Sequence, residues 1–182
     1  IETGAYFGVP VEPIVGRVLG ERLDDGGWNC EVEYGSVRSS FDTTINVLDG
    51  LLEFERATGQ SEGVRTARRS GEEYLLERGL FRRRSTGEVV RPTYLEFAFP
   101  YYWHYDVLRA LDYFRRSGAN PDPRMAEAVE IVQSKRQPDG RWLLDRIHPG
   151  QVYFDLEDGV GAPSRWNTLR ALWVLKWWTE TG

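Results

Sequence analysis

Apolar residues recur along most of the chain at the three-and-four spacing of helices that bury one face. Phe41, Ile45, Leu48 and Leu52 form such a stripe and predict a helix over 40–58. Ser39 or Ser40 is its cap, and Asp42 sits in the first turn, where the helix dipole favours an anion. Val64, Ala67, Tyr74 and Leu75 mark a second helix over 61–78, capped by Ser61, stopped by a left-handed Gly79 and followed by Leu80. A third is expected over 101–116, stopping at Gly118. Asp122 as cap and Pro123 at the first helical position open a fourth, striped by Met125, Val129 and Val132, which must end before Pro138. A fifth covers 164–180, and a shorter one 13–21. The second and fourth have charged remainders and belong on the outside. The fifth is apolar nearly all round (Trp166, Leu169, Ala171, Leu172, Trp173, Val174, Leu175, Trp177, Trp178), which predicts burial; the third is similar through Val107, Leu108, Ala110, Leu111, Tyr113 and Phe114.

Inner and outer helices therefore alternate, and the sequence repeats. Residues 46–51 align with 106–111 and 167–172, each after an aromatic-bearing turn. A second repeat matches Leu23-Asp24-Asp25-Gly26-Gly27-Trp28 to Gln137-Pro138-Asp139-Gly140-Arg141-Trp142. These Gly-x-Trp turns read as structural: glycine permits the turn, tryptophan stacks beneath it, and Gln or Asp caps helix ends. The expected fold is all-α, a single domain over 1–182 with hairpin repeats near 40–80, 100–137 and 164–181, its N-terminus trimmed because it opens on Ile1. The long connections 81–100 and 137–163 are of a length usually functional or ligand-covering.

Composition narrows the function. A chain of 182 residues with 41% hydrophobic and 28% charged residues is globular in character, and it has no apolar run long enough for a transmembrane segment. A formal net charge of −5 argues against nucleic acid as a partner. The single Cys30 excludes an intramolecular disulfide and fits a reducing, cytoplasmic setting. One cysteine and two histidines are too few for a convincing zinc site, so no metal and no cofactor are expected. Arg82-Arg83-Arg84 reads as a solvated basic loop.

The Gln-Pro-Asp-Gly-Arg-Trp and Asp-Asp-Gly-Gly-Trp turns resemble the glutamine–tryptophan repeat of squalene and hopene cyclases. The stretch from Phe99 to Leu111 is similar to a late inner helix of those enzymes. The resemblance implies an α/α toroid or an arc of one, an architecture shared with protein prenyltransferase β-subunits and thioester-containing complement domains. It also implies an isoprenoid-handling protein, terpene cyclase-like or prenyltransferase-like, binding a hydrophobic or prenyl ligand in an aromatic-lined concavity. About three hairpins are present where a closed ring has about six, so a homodimer that completes the ring is a candidate. The cyclases' Asp-x-Asp-Asp-Thr-Ala acid motif has Asp155-Leu156-Glu157-Asp158 and the single Asp42-Thr43-Thr44 as its nearest counterparts, and the prenyltransferases' zinc-binding Asp-x-Cys pair is absent.

Three clusters carry candidate chemistry. Asp155, Glu157 and Asp158 are an acidic knot; buried together, one would hold the proton that a cyclase acid needs. Tyr101, Tyr102 and Trp103 offer cation–π surfaces, with His104 and Asp106 as base and orienter. Arg165, Trp166, Asn167 and Arg170, at the start of the last helix behind Ser164, form an anion site suited to a diphosphate or carboxylate. Each has a structural counterpart: a solvated loop, a packed helix end, and an internal ion pair with the knot. A glycan-active or glycan-binding helical toroid and a non-enzymatic protein-interaction module remain the alternatives.

Overall fold

Three side chains start the three core helices. In the computed structural model, which describes residues 1–59 and 61–180, Ser40 Oγ accepts from the Thr43 amide at 3.0 Å, Asp106 Oδ1 from Arg109 at 2.7 Å and Ser164 Oγ from Asn167 at 2.9 Å. Each bond satisfies an amide that the helix leaves unpaired. The protein is mostly helical and divides into two compact units, Ile1–Leu76 and Glu77–Gly182.

The first unit contains α1 (Glu2–Tyr6), α2 (Glu12–Gly20), α3 (Phe41–Thr58) and α4 (Glu62–Leu76), with a 3-10 turn at Val32–Tyr34. Ile45, Leu48 and Leu51 of α3 are wholly buried. Helix α4 runs antiparallel along α3. Its Tyr74 packs edge-on to Phe41 and donates to the Ser39 carbonyl at 2.8 Å, Gly71 lies over Leu48 and Trp28, and Arg68 pairs with Glu55 at 2.5 Å. A Cβ at Gly71 would stand 2.7 Å from Trp28 Cζ3, so only glycine admits this approach.

The second unit contains α5 (Val107–Arg116), α6 (Ala126–Ser134) and α7 (Arg165–Glu180), with 3-10 turns at Pro92–Leu95 and Pro123–Met125. Strands β1 (Trp142–Leu143) and β2 (Pro163–Ser164) pair antiparallel, Trp142 opposite Ser164. Helix α5 packs against α6 and α7. Leu108, Leu111, Tyr113, Phe114, Val132, Trp142, Leu144 and Val174 fill the core.

The tryptophan turn has the same construction in both units. Trp28 Nε1 donates to the Val18 carbonyl and Trp142 Nε1 to the Val132 carbonyl, each at 2.7 Å. Both acceptors lie in the last turn of the preceding helix, where carbonyls run short of intrahelical donors; the Val18 carbonyl also accepts from the Glu21 amide at 3.3 Å. The Trp28 amide donates to Thr44 Oγ1 at 3.1 Å, and the Trp142 amide to Thr168 Oγ1 at 3.0 Å. The turns close alike, through Leu23 N to Gly27 O and Gln137 N to Arg141 O, with Gly26 and Gly140 at positive φ. The Gln137 side chain donates to the Lys135 carbonyl at the end of α6, the capping role expected of it.

Several expectations are corrected. The third helix starts at Val107, not 101, because Asp106 is its cap and Tyr102 before it has φ +47°. Helix α4 ends at Leu76 rather than 78, and the fourth predicted helix opens as a 3-10 turn. Helix α7 is not wholly buried: Trp166, Leu169, Leu172 and Trp173 are exposed. The repeat register also shifts. The caps and threonines equate Ser40 with Ser164 and Thr44 with Thr168, not residue 46 with 167. Leucines recurring every three or four positions match in several registers, whereas a cap matches in one.

Candidate functional site

The segment before α5 and the first two turns of α7 bring the ionic and aromatic candidates of the second unit together. Asp106 is 2% exposed, and only its Oδ1 is hydrogen-bonded; Oδ2 has no partner. Burial pushes its carboxyl above the ordinary value, outweighing Arg170, the Arg109 amide, the Arg109 charge and the Ala98 amide, which all favour the ionised form. Arg109 is buried too, and its Nη1 donates to the carbonyls of His104 at 2.8 Å and Tyr102 at 3.3 Å.

Arg170 is 5% exposed, and none of its three nitrogens makes a hydrogen bond. Its Cζ stands 4.8 Å from the centroid of the Tyr101 ring, and that of Arg109 stands 4.4 Å from the same ring. Among the described residues of the unit, the buried charged groups are two guanidiniums and one carboxylate that burial drives toward neutrality. Asn167 is wholly buried. Its Nδ2 donates to the carbonyls of Phe97 and Leu143, each at 3.2 Å, and its Oδ1 has no partner.

Aromatic rings continue outward from the ions. Phe99 stacks on Trp166 at 4.9 Å and 15°, and meets Tyr101 edge-on at 6.4 Å. Trp103, His104 and His148 form a ring stack with centroid spacings of 3.7 and 3.6 Å. Trp103 and Tyr102 are exposed.

The other candidates lie elsewhere. Asp155 and Asp158 are exposed, so the knot is not a buried proton donor. Glu157 is half-buried and accepts from Ser164 Oγ at 2.5 Å, holding the cap of α7. Arg165 is exposed and donates to the Leu156 carbonyl, apart from the buried arginine. Arg170 therefore makes no ion pair with the knot. Arg109 was missed by sequence reading. Its position one turn after the cap carried a signal, because an arginine there can fold back onto the carbonyls of the preceding loop.

Among the described residues, no three His, Cys, Asp or Glu side chains converge as a metal site, and no helix is long and apolar enough to cross a membrane. The second unit also has a polar cavity of about 280 Å³ lined by Phe97, Ser134, Lys135, Gln137, Trp142, Leu143 and Asp145. There Asp145 is occupied by Lys135 at 2.9 Å and the Phe97 amide at 2.8 Å. Comparison with family models, curated proteins and solved structures finds no match to this chain.

Proposed function

We propose that the second unit binds a small molecule with an anionic head and an apolar body, the head on Arg170 and the body along Phe99, Tyr101 and Trp166. The observation that carries this reading is the buried Arg170 guanidinium without a hydrogen-bond acceptor. A buried charged donor left unsatisfied costs about 1–3 kcal/mol or more. A carboxylate or phosphate oxygen removes that cost and is matched by the fork of the guanidinium. The nitrogens are closed to solvent, so binding requires the turn at 101–105 to open; that turn holds Tyr102 at positive φ, a strained conformation for a large side chain.

The resemblance to terpene cyclases and prenyltransferases favours an isoprenoid body with a diphosphate or carboxylate head, on a toroid-like arc. On that reading Asp106, not the 155–158 knot, is the acid that keeps its proton in a dry site. The test is titration calorimetry with farnesyl diphosphate, a long-chain carboxylate, inorganic diphosphate and farnesol, on wild type and Arg170→Met. The headed lipids bind, farnesol binds at least tenfold more weakly, and Arg170→Met loses the difference. Without ligand, Arg170→Met is as stable as wild type or more so, since it removes a buried guanidinium that no hydrogen bond satisfies. Absence of binding by every probe, together with a loss above about 3 kcal/mol in the variant, makes Arg170 a structural ion-pair partner and overturns the reading.

A further inference from the structure

Among the described residues, every buried side-chain nitrogen or oxygen without a hydrogen-bond partner lies in the second unit, on the cap and first turn of α5 and the first two turns of α7. The start of a helix does not itself require such groups. In the register fixed by the caps, Asn167 and Arg170 of α7 stand where α3 has Thr43 and Asn46. Both α3 residues are half-buried and their polar atoms are engaged locally. Thr43 Oγ1 accepts from Ser40 Oγ at 2.9 Å and from the Cys30 amide at 3.2 Å, and Asn46 Nδ2 donates to the Asp42 carbonyl at 2.6 Å. The same two positions of α7 are buried and carry unmet groups of opposite kinds, donors on Arg170 and an acceptor on Asn167.

The Asn167 carboxamide is used at one end only. Nδ2 gives its two hydrogens to the Phe97 and Leu143 carbonyls, so the orientation of the planar group is fixed and Oδ1 is turned away from both. Asn167 and Arg170 are three positions apart on the buried face of α7, which makes them neighbours with Cβ atoms about 5–6 Å apart. A bare carboxylate meets the donors of Arg170 but has nothing to give Oδ1, because both are acceptors. A ligand that meets both brings acceptor oxygens with an N–H or O–H close beside them. We infer that Asn167 sets the specificity of this site, which takes an amphiphile whose carboxylate has a hydrogen-bond donor on the adjoining carbon, the carboxylate on Arg170 and the donor on Asn167 Oδ1. The inference rests on the reading of Arg170 as the anchor of the head. Two kinds of molecule have this chemistry: N-acyl amino acids, through the amide N–H, and 2-hydroxy acids, through the hydroxyl. Burial already drives Asp106 toward its neutral form, so the incoming carboxylate meets no second full negative charge there.

The test is titration calorimetry on the intact protein, below micelle formation, with two pairs of ligands of one acyl chain length. N-lauroylglycine is set against its ester lauroyloxyacetate, in which oxygen replaces the N–H, and 2-hydroxydodecanoate against dodecanoate. A donor-bearing ligand binds at least about tenfold more tightly than its counterpart, and the pair that shows this identifies the source of the donor. Asn167→Ala loses the preference while dodecanoate binds it as it binds wild type. The variant also strips the Phe97 and Leu143 carbonyls of a donor, so circular dichroism checks its fold; where it does not fold, the wild-type comparison decides. Neither pair separated by wild type overturns the inference, and the Arg170 reading survives that result if dodecanoate binds and Arg170→Met abolishes its binding. A preference that persists in folded Asn167→Ala overturns the inference too. Failure of all four ligands to bind overturns it together with the Arg170 reading.

Discussion

Replacing Trp142 by phenylalanine isolates what the turn contributes. The indole is wholly buried, and its Nε1 donates at 2.7 Å to the Val132 carbonyl in the last turn of α6. Phenylalanine leaves that carbonyl buried without this donor, at about 1–3 kcal/mol. It also removes three heavy atoms from a filled core, at about 1–2 kcal/mol for a small cavity that relaxes only in part. The amide bond to Thr168 Oγ1 is unaffected, so the expected loss is about 2–5 kcal/mol. For a chain of this size that corresponds to roughly 4–20 °C in Tm. Urea unfolding followed by far-UV circular dichroism measures it, with Trp103→Phe, at a 60% exposed position, as a control that changes stability by less than about 0.5 kcal/mol. A loss below about 1 kcal/mol for Trp142→Phe refutes the capping role of the indole.

Four further outcomes follow from the same geometry. Gly71→Ala gains about 1 kcal/mol in helix propensity but drives a Cβ to 2.7 Å from the buried Trp28 ring, at about 1–3 kcal/mol, so urea unfolding shows a net loss of up to about 2 kcal/mol; net stabilisation refutes the tight α3–α4 approach. Thr44→Val leaves the buried Trp28 amide without its acceptor and costs about 1–3 kcal/mol by the same measurement, and a neutral result shows the bond to be dispensable. Ser164→Ala removes the α7 cap and the partner of Glu157, at about 1–2 kcal/mol, whereas Ser164→Asp keeps the cap but sets two carboxylates against each other. Asp106 has its pKa above the ordinary value, so between that value and the raised one the native state holds a proton that the unfolded state has released. Native stability therefore falls as pH rises through this window and stays lower above it. Asp106→Asn keeps the cap and abolishes that fall; urea midpoints of both proteins from about pH 4 to pH 8 show it, and a wild type that gains on the variant with rising pH contradicts the burial argument.

The legibility of the chain follows the range of the interaction responsible. Local signals hold where the interaction is local: Ser40 and Ser164 cap helices, Asp122 caps the 3-10 turn ahead of α6, Gly118 takes positive φ just past α5, Gly79 takes it in the turn after α4, and the Gly-x-Trp turns are structural. The start of α5 was misplaced because the aromatic run 101–105 shows helical apolar spacing, although Asp106 could cap only if the chain were extended before it. Residue type alone leaves the acidic knot open between a buried acid and a solvated loop, because nothing local tells whether a carboxylate faces solvent. Asp106 and Arg170, 64 positions apart, share a site only because α5 packs on α7. No periodicity along either helix encodes that pairing.

The two tryptophan turns also differ in what they enclose. Between Trp28 and its cap Ser40 lie residues 29–39; between Trp142 and Ser164 lie 143–163, ten residues more, yet the hydrogen bonds at both ends are the same. Closing the longer loop costs only about 0.6 kcal/mol extra by chain entropy, and pairing of Trp142 with Ser164 shuts its base. The motif thus behaves as a socket of adjustable length, whose longer version is tied back to the scaffold through Asp145, His148 and Glu157. Material inserted in the exposed stretch 151–154, between the Asp145 and Glu157 anchors, should leave the helices undisturbed, which makes this the place where such a protein can acquire a new specificity without refolding.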